Sequence, residues 1–213
     1  MVSAILMMAG SGTRMGINQN KVYLQLSNMM IFEHSIKLFQ KFGFEIICVI
    51  REEDEYKLEK YKGKVKIVYG GKTRQESVYN GLEAADGEFV IIHDAARPLV
   101  TERIINDCLD SFTENKAFLV AVPSKDSIYQ IKPLSTIKRD SIVLAQTPQG
   151  GKKSDLLECH RKAIEDGFVA TDDVSLLLQY SNQLVKIIDG DEKNFKITTQ
   201  LDYILAKELV KND

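Results

Sequence analysis

Short apolar runs alternate with amphipathic stretches along most of this chain. Residues 3–8 (SAILMM), 45–50 (EIICVI), 65–69 (VKIVY), 88–94 (EFVIIHD) and 117–123 (AFLVAVP) are brief, rich in Val and Ile, and largely apolar at successive positions. Strands buried on both faces of a parallel sheet read this way, because neither face meets water. Between them, residues 31–42, 53–61, 73–85 and 102–112 carry helical patterns. In the first of these, Ile31, Phe32, Ser35, Ile36 and Phe39 recur at steps of three and four and so share one face. Repeated β-α alternation predicts an α/β fold built on an open, mostly parallel Rossmann-like sheet with right-handed crossovers.

The rhythm changes after Pro123. Residues 124–150 (SKDSIYQIKPLSTIKRDSIVLAQTPQG) alternate apolar and polar positions, include Pro133 and Pro148, and show no helical period. An extended β-arm that leaves the main sheet is predicted there, over about residues 124–141. Helices resume at 154–166 and 172–180, followed by a strand at 183–190 and a last helix from about residue 200. With no internal repeat and no low-complexity linker, residues 1–213 are expected to form a single domain carrying that protruding arm.

Composition narrows the function classes. Hydrophobic residues at 44% supply a core, and a formal net charge of −2 argues against a general nucleic-acid binder, whose footprint is usually basic. Cys48, Cys108 and Cys159 are widely spaced and lack CxxC or Cys/His ligand spacing, so neither a disulfide framework nor a zinc site is expected. The opening MVSAILMMAG has no basic n-region and too short an apolar run for a signal peptide. Nothing approaches the roughly 18 apolar residues of a membrane span. A cytoplasmic protein that engages neither membrane nor nucleic acid is expected.

In open α/β sheets ligands bind beyond the carboxyl ends of the strands. The segments there are AGSGTRMG (9–16), GGKTRQES (70–77) and HDAARP (93–98), with TPQG (147–150) expected beside them. The first is not a dinucleotide fingerprint, since Met15 stands where the third glycine belongs, and Ile17 after Gly16 excludes a Walker loop. Glycines at 10 and 12 still let backbone N–H groups approach a phosphate, with Arg14 and Lys21 as cations; a solvated surface turn is the plain alternative. In the second segment Thr73 and Glu76 form a capping box, while Gly71 and Ser77 offer backbone and hydroxyl groups to a base or sugar. In the third, Asp94 either serves a divalent cation or pairs with Arg97 to fasten the turn. His93 reads as a structural hydrogen-bonding residue rather than a base.

Together these segments, with Lys21, DSI (126–128), TIKRD (136–140), ATDDVSLL (170–177) and NFKITTQLD (194–202), resemble the cytidylyltransferases that load sugar or polyol phosphates onto CTP. The resemblance is to the 2-C-methyl-D-erythritol 4-phosphate cytidylyltransferase family of the non-mevalonate isoprenoid pathway, in order and over nearly the whole chain. It implies a nucleotidyltransferase-type sheet, CTP and a polyol phosphate as substrates, Mg²⁺ or another divalent cation, and a homodimer formed through the arm. By that resemblance Arg14, Lys21 and Lys196 are the catalytic cations. Ala9, Gly10, Gly12, Gly71 and Ser77 line the CTP pocket, and Asp94 lies at the junction of metal and substrate phosphate. Arg97, Ser127, Arg139, Thr147 and Thr171 surround the acceptor or the reacting phosphates, with Arg97, Ser127 and Arg139 expected to serve the partner's site.

Three departures from the family pattern carry expectations of their own. Asn20-Lys21-Val22 replaces the usual Pro-Lys-Gln, which should loosen the chain before Lys21. Met8 stands at a usual alanine and should narrow the room beside the base, and Ser127 replaces threonine. The implied reaction is attack of the acceptor phosphate on the α-phosphorus of CTP with release of pyrophosphate. A phosphate monoester has a second pKa near 6 and is mostly dianionic at pH 7, so no general base is needed. A ribitol 5-phosphate cytidylyltransferase is the nearest rival, disfavoured by Ala96 and by the TDD at 171–173. A nicotinamide-dependent oxidoreductase and a non-catalytic nucleotide-binding regulator are more distant ones.

Overall fold

The computed structural model describes residues 1–10, 20–114 and 116–211. Strand β1 (Val2–Met7) sends Ala4 and Leu6 to one side of the central sheet and Ile5 to the other. A small hairpin, β2 (Gln25–Leu26) and β3 (Met29–Met30), leads into helix α1 (Ile31–Lys41). Strand β4 (Glu45–Ile50) repeats the two-sided pattern: Ile46, Cys48 and Ile50 face one way, Ile47 and Val49 the other. Then follow β5 (Lys66–Tyr69), α2 (Arg74–Ala84), β6 (Phe89–Asp94), α3 (Glu102–Thr113) and β7 (Ala117–Pro123). The arm hairpin is β8 (Ile128–Gln130) with β9 (Ser135–Ile137), paired only to each other. The chain ends with β10 (Val143–Lys152), α4 (Lys153–Asp166), α5 (Asp173–Tyr180), β11 (Val185–Asp189) and α6 (Gln200–Val210).

The seven-stranded sheet has the order β11-β7-β10-β6-β1-β4-β5, with every strand parallel to its neighbours except β10. One face packs on α1 and α3 through Phe32, Ile36, Phe39, Ile104, Ile105 and Cys108. The other packs on α2, α4 and α5 through Val78, Leu82, Leu156, Cys159, Leu176 and Leu177. All three cysteines are buried free thiols. No helix among the described residues is long and apolar enough to cross a membrane.

Two elements differ from the pattern-based expectation. Residues 53–61 form consecutive 3-10 turns (Glu52–Tyr61) instead of an α-helix. Only Asp54 and Leu58 turn inward there, and Asp54 is held by Arg51 and Lys57, so there is no apolar stripe for an α-helix to bury. The second difference is β10, which leaves the arm and enters the main sheet antiparallel between β6 and β7. Pro148 argues against a central strand, but a register shift between Ala145 and Gln149 takes the proline out of the ladder. Gly150 then passes where any Cβ would lie 2.1 Å from the Val90 carbonyl oxygen, so this crossing admits only glycine.

Candidate functional site

The ends of β1, β5 and β6 open onto one cavity of about 480 Å³, lined by Ala9, Gly10, Lys21, Gly71, Ser77, Asp94 and Lys196 among others. Gly71 lies in the turn before α2, where a Cβ would come within 2.4 Å of the Glu76 Cβ. The first turn of α2 builds that approach. Thr73 caps the helix by accepting the Glu76 N–H (3.1 Å), but Glu76 Oε2 accepts the Lys72 N–H (2.8 Å) and not that of Thr73, so the expected capping box is only half formed. Ser77 Oγ accepts the Gly71 N–H (3.0 Å) and donates to the Thr73 carbonyl (2.8 Å). The capping and ligand-binding readings of this segment are therefore compatible: Ser77 lines the cavity, and its hydroxyl shapes the glycine turn.

Asp94 sits at the end of β6, 8% exposed, with Lys196 Nζ 2.7 Å from Oδ2 and Arg74 Nε 3.9 Å from Oδ1. Burial works against its charge, but the attraction of Lys196 and then of Arg74 outweighs it and holds the carboxyl well below the usual range. Arg74 is itself fixed by a two-point bond to Asp173 at the start of α5, Nη1 to Oδ1 at 3.0 Å and Nη2 to Oδ2 at 2.6 Å. Lys21, Lys72, Arg74 and Lys196 thus line the cavity against one carboxylate, Asp94, among the described lining residues, and a compact anion has reason to enter.

Behind Asp94 lies a buried relay. His93 Nε2 is 3.1 Å from the Arg97 carbonyl, which can only accept, so Nε2 carries the proton and Nδ1 is bare. The Thr147 hydroxyl therefore donates to His93 Nδ1 (3.1 Å) while accepting the Asp94 N–H (3.0 Å). Burial lowers the imidazole to about 4, against the pull of Asp94, so His93 stays neutral near pH 7. This geometry accords with the structural reading of His93. It also gives Thr147 an inward-facing role, since its hydroxyl is engaged behind the cavity wall.

Arg97 donates Nη1 to the Asn194 carbonyl (2.8 Å) within its own subunit, so the alternative of an Asp94–Arg97 side-chain pair is not what forms. Asn194, fully buried, donates to the Thr147 carbonyl (2.9 Å) and to Gln146 Oε1 (3.0 Å). These bonds moor the segment that carries Lys196. Ser127 and Arg139 line a separate groove on the arm, where Arg139 Nη1 reaches the Lys125 carbonyl at 3.2 Å. Within one subunit they do not join the Asp94 cavity. Thr171 is exposed in the turn before α5 and lines no part of that cavity. Gly12 and Arg14 lie outside the described residues.

The expected effect of one departure, Met8, is corrected. Asn20 itself is held: it is 1% exposed, accepts the Val22 N–H at 3.3 Å and donates its amide to the Met8 carbonyl, whereas the loop preceding it, whose loosening was expected, lies outside the described residues. Met8 is buried in the core beside Phe32 and Val22, and Met7 lines the cavity in its place. Sequence reasoning missed Gln149, whose Oε1 accepts the N–H groups of Asp173 and Val174 at the start of α5. It also missed the anchoring roles of Asn194 and Asp173. A buried strand glutamine that caps a distant helix carries no local signature, because its partners lie 24 and 25 residues away.

One carboxylate suits a hard cation that takes its other ligands from phosphate oxygens and water, as Mg²⁺ does. Among the described residues no group of three or more His, Cys, Asp or Glu could hold a metal without such help.

The family model for IspD, 2-C-methyl-D-erythritol 4-phosphate cytidylyltransferase, matches residues 2–212. A cytidylyltransferase of that name from Caldanaerobacter subterraneus is 42% identical, covering 97% of each chain, and one from Bacillus cereus is 36% identical, covering 99% of this chain and 98% of its own. Among solved structures, 4-diphosphocytidyl-2C-methyl-D-erythritol synthase from Anaerococcus prevotii superposes with a TM-score of 0.87 at 32% identity over 99% of this chain and 98% of that one. The Thermus thermophilus cytidylyltransferase gives 0.83 at 28% identity, covering 99% and 100%. With its fold, its cavity and nearly its whole length in agreement, this chain belongs to the 2-C-methyl-D-erythritol 4-phosphate cytidylyltransferase family.

Proposed function

We propose that this chain transfers CMP from CTP to 2-C-methyl-D-erythritol 4-phosphate and releases pyrophosphate. The observation that carries the reading is the convergence of Ala9, Gly10, Lys21, Gly71, Asp94 and Lys196, from five separate segments, on one cation-rich cavity at the strand ends. The acceptor phosphate, largely dianionic at pH 7, attacks the α-phosphorus. A new P–O bond forms, the bond to the β-phosphate breaks, and the electron pair leaves with pyrophosphate. No proton need be removed from the nucleophile, which agrees with the neutral, engaged His93.

The protein's part is to bring two anions together. Lys21, with Arg14 in the adjoining glycine loop, offsets charge on the triphosphate and stabilises the transition state. Lys196, held by Asp94, faces the acceptor phosphate. Gly10 and the Gly70-Gly71 turn present backbone to the nucleotide. A divalent cation carried in with the triphosphate, with Asp94 as its protein ligand, would shield the developing charge.

Thr171 and the arm residues Ser127 and Arg139 contact the acceptor, the arm acting on the neighbouring subunit of a homodimer. The arm's exposed Ile131 and Leu134 support that assembly. The enzyme works in the cytoplasm on two soluble phosphate esters.

Pyrophosphate release with CTP and Mg²⁺ tests the reading, with methylerythritol phosphate and ribitol 5-phosphate run in parallel. Turnover with methylerythritol phosphate alone is expected. Turnover with ribitol phosphate alone would move the chain to that neighbouring activity, and silence with both in folded protein would overturn the assignment.

A further inference from the structure

We propose that Asn20 is the positioning residue for Lys21, an inference that rests on Lys21 acting on the triphosphate. Asn20 is nearly sealed from water, and both ends of its side-chain amide are committed. Nδ2 donates to the Met8 carbonyl, and Oδ1 accepts the Val22 N–H at 3.3 Å. Neither bond survives a flip of the amide, so its orientation is set by its partners.

These two bonds join structures on either side of residues 11–19. Met8 continues the β1 ladder by donating its own N–H to Val49 at 2.8 Å, so it is fixed to the central sheet. On the far side, Asn20 caps the short 3-10 turn Lys21–Tyr23. The Tyr23 N–H closes that turn on the Asn20 carbonyl at 3.1 Å, and the Leu24 N–H on the Lys21 carbonyl at 3.0 Å. Val22 and Tyr23 then bury against the core, with Tyr23 edge-on to Phe32. Lys21 therefore starts from a backbone tied to β1 on one side and to the core on the other. Its 8% exposure puts the side chain against the cavity wall.

Asn20 has φ −67° and ψ 123°. A proline ring fixes φ near −65°, and ψ near 123° is open to it. A proline here would thus reach the same backbone by a ring where the asparagine reaches it by a two-ended amide bridge. The consequence for catalysis is that side-chain chemistry at position 20 acts through the aim of Lys21.

The test is a double-mutant cycle on pyrophosphate release with CTP, Mg²⁺ and methylerythritol phosphate. Thermal unfolding is followed for every variant. Asn20→Ala should lower kcat by about 10- to 100-fold, the scale on which a misplacement of about 1 Å acts. Asn20→Pro should stay within about threefold of the unaltered protein. In a Lys21→Ala background, Asn20→Ala should cost less than about twofold more, because there is no amine left to aim.

Full kcat in Asn20→Ala would overturn the proposal, as would an undiminished Asn20→Ala loss in the Lys21→Ala background. A folded but inactive Asn20→Pro would overturn it too, and that variant carries the test if Asn20→Ala does not fold. Absence of turnover in the unaltered protein would instead overturn the proposed function.

Discussion

The Thr147 hydroxyl lies 3.1 Å from Nδ1 of His93 and, in the same position, receives the N–H of Asp94 at 3.0 Å. One buried oxygen thereby ties β10 to the residue that anchors Lys196. Thr147→Val keeps the volume but leaves the Asp94 N–H without its acceptor, a cost of about 1–3 kcal/mol for a buried donor. Thr147→Ser keeps the oxygen and should recover most of that loss. Urea unfolding together with kcat for the three proteins checks this; equal stability of Thr147→Val and the unaltered protein would show that the relay is dispensable.

Lys196 stands 2.7 Å from Asp94 in a cavity that has to accept two phosphorylated substrates. Lys196→Met should lower kcat by about 10²–10³-fold, the usual effect of losing one preorganised charge partner. The Asp94 carboxyl should also move back up toward its ordinary value, since the attraction of Lys196 is what chiefly offsets its burial. In the unaltered protein Asp94 stabilises the fold above the unfolded carboxylate value of 3.8, and the contribution disappears as pH falls through its lowered value. Carbon-detected titration of the Asp94 carboxyl in both proteins reads this directly, and an unchanged midpoint in the variant would refute it.

Arg74 and Asp173 form a two-point pair between α2 and α5. Next to it the Gln75 side chain donates to the Phe168 carbonyl (3.2 Å) and accepts the Ala170 N–H (2.9 Å), so the first turn of α2 holds the segment leading to Thr171. Arg74→Ala would strand a nearly buried carboxylate. Because the guanidinium is about one-third exposed, the cost should be about 1–3 kcal/mol, below that of a fully buried pair. Asp173→Asn should cost less, since no buried charge is left unpaired. Reversible unfolding ranks the two variants, and the opposite ranking would contradict the pairing argument.

His160 is fully buried on α4, and neither ring nitrogen has a partner among the described residues. Burial lowers it to about 4, with Asp173 pulling the other way and Arg74 pushing with the burial. The unfolded chain binds its proton near 6.5, so between about 6.5 and 4 the unfolded state holds more protons and stability falls as pH falls. His93 has the same sign and the same window. His160→Leu removes one of the two groups. It should be more stable than the unaltered protein at pH 5, with a smaller gain at pH 7; a gain that does not grow on acidification would refute the linkage.

Ile131 and Leu134, each 78% exposed, project from the β8–β9 arm beside the groove lined by Ser127 and Arg139. Ile131→Asp with Leu134→Asp should shift a homodimer toward monomer in light-scattering chromatography, with turnover falling in step. A monomeric unaltered protein, or a fully active monomeric variant, would remove the arm from the neighbouring subunit's site.

The α/β alternation was legible because its signals are local. A strand buried on both faces, such as 45–50, and a helix with one apolar stripe, such as 31–42, each announce themselves within a few residues. The glycine turns were legible for the same reason: Gly71 is needed where Glu76 folds back over it, five residues away. The antiparallel β10 was not. Its proline and paired glycines read as a break, and only the neighbouring β6 backbone, pressing against Gly150, makes them suitable for a strand.

What the sequence by itself determined is therefore the order of most elements, the placing of glycine turns at the strand ends and, through ordered motifs, the family. The tertiary structure decided which charges meet: Lys196 with Asp94 across 102 residues, Arg74 with Asp173 across 99, and Thr147 with His93 across 54. Helix and strand patterns are set by neighbours along the chain, whereas an ion pair or a buried hydrogen bond depends on distances that exist only once the sheet has brought its strand ends together.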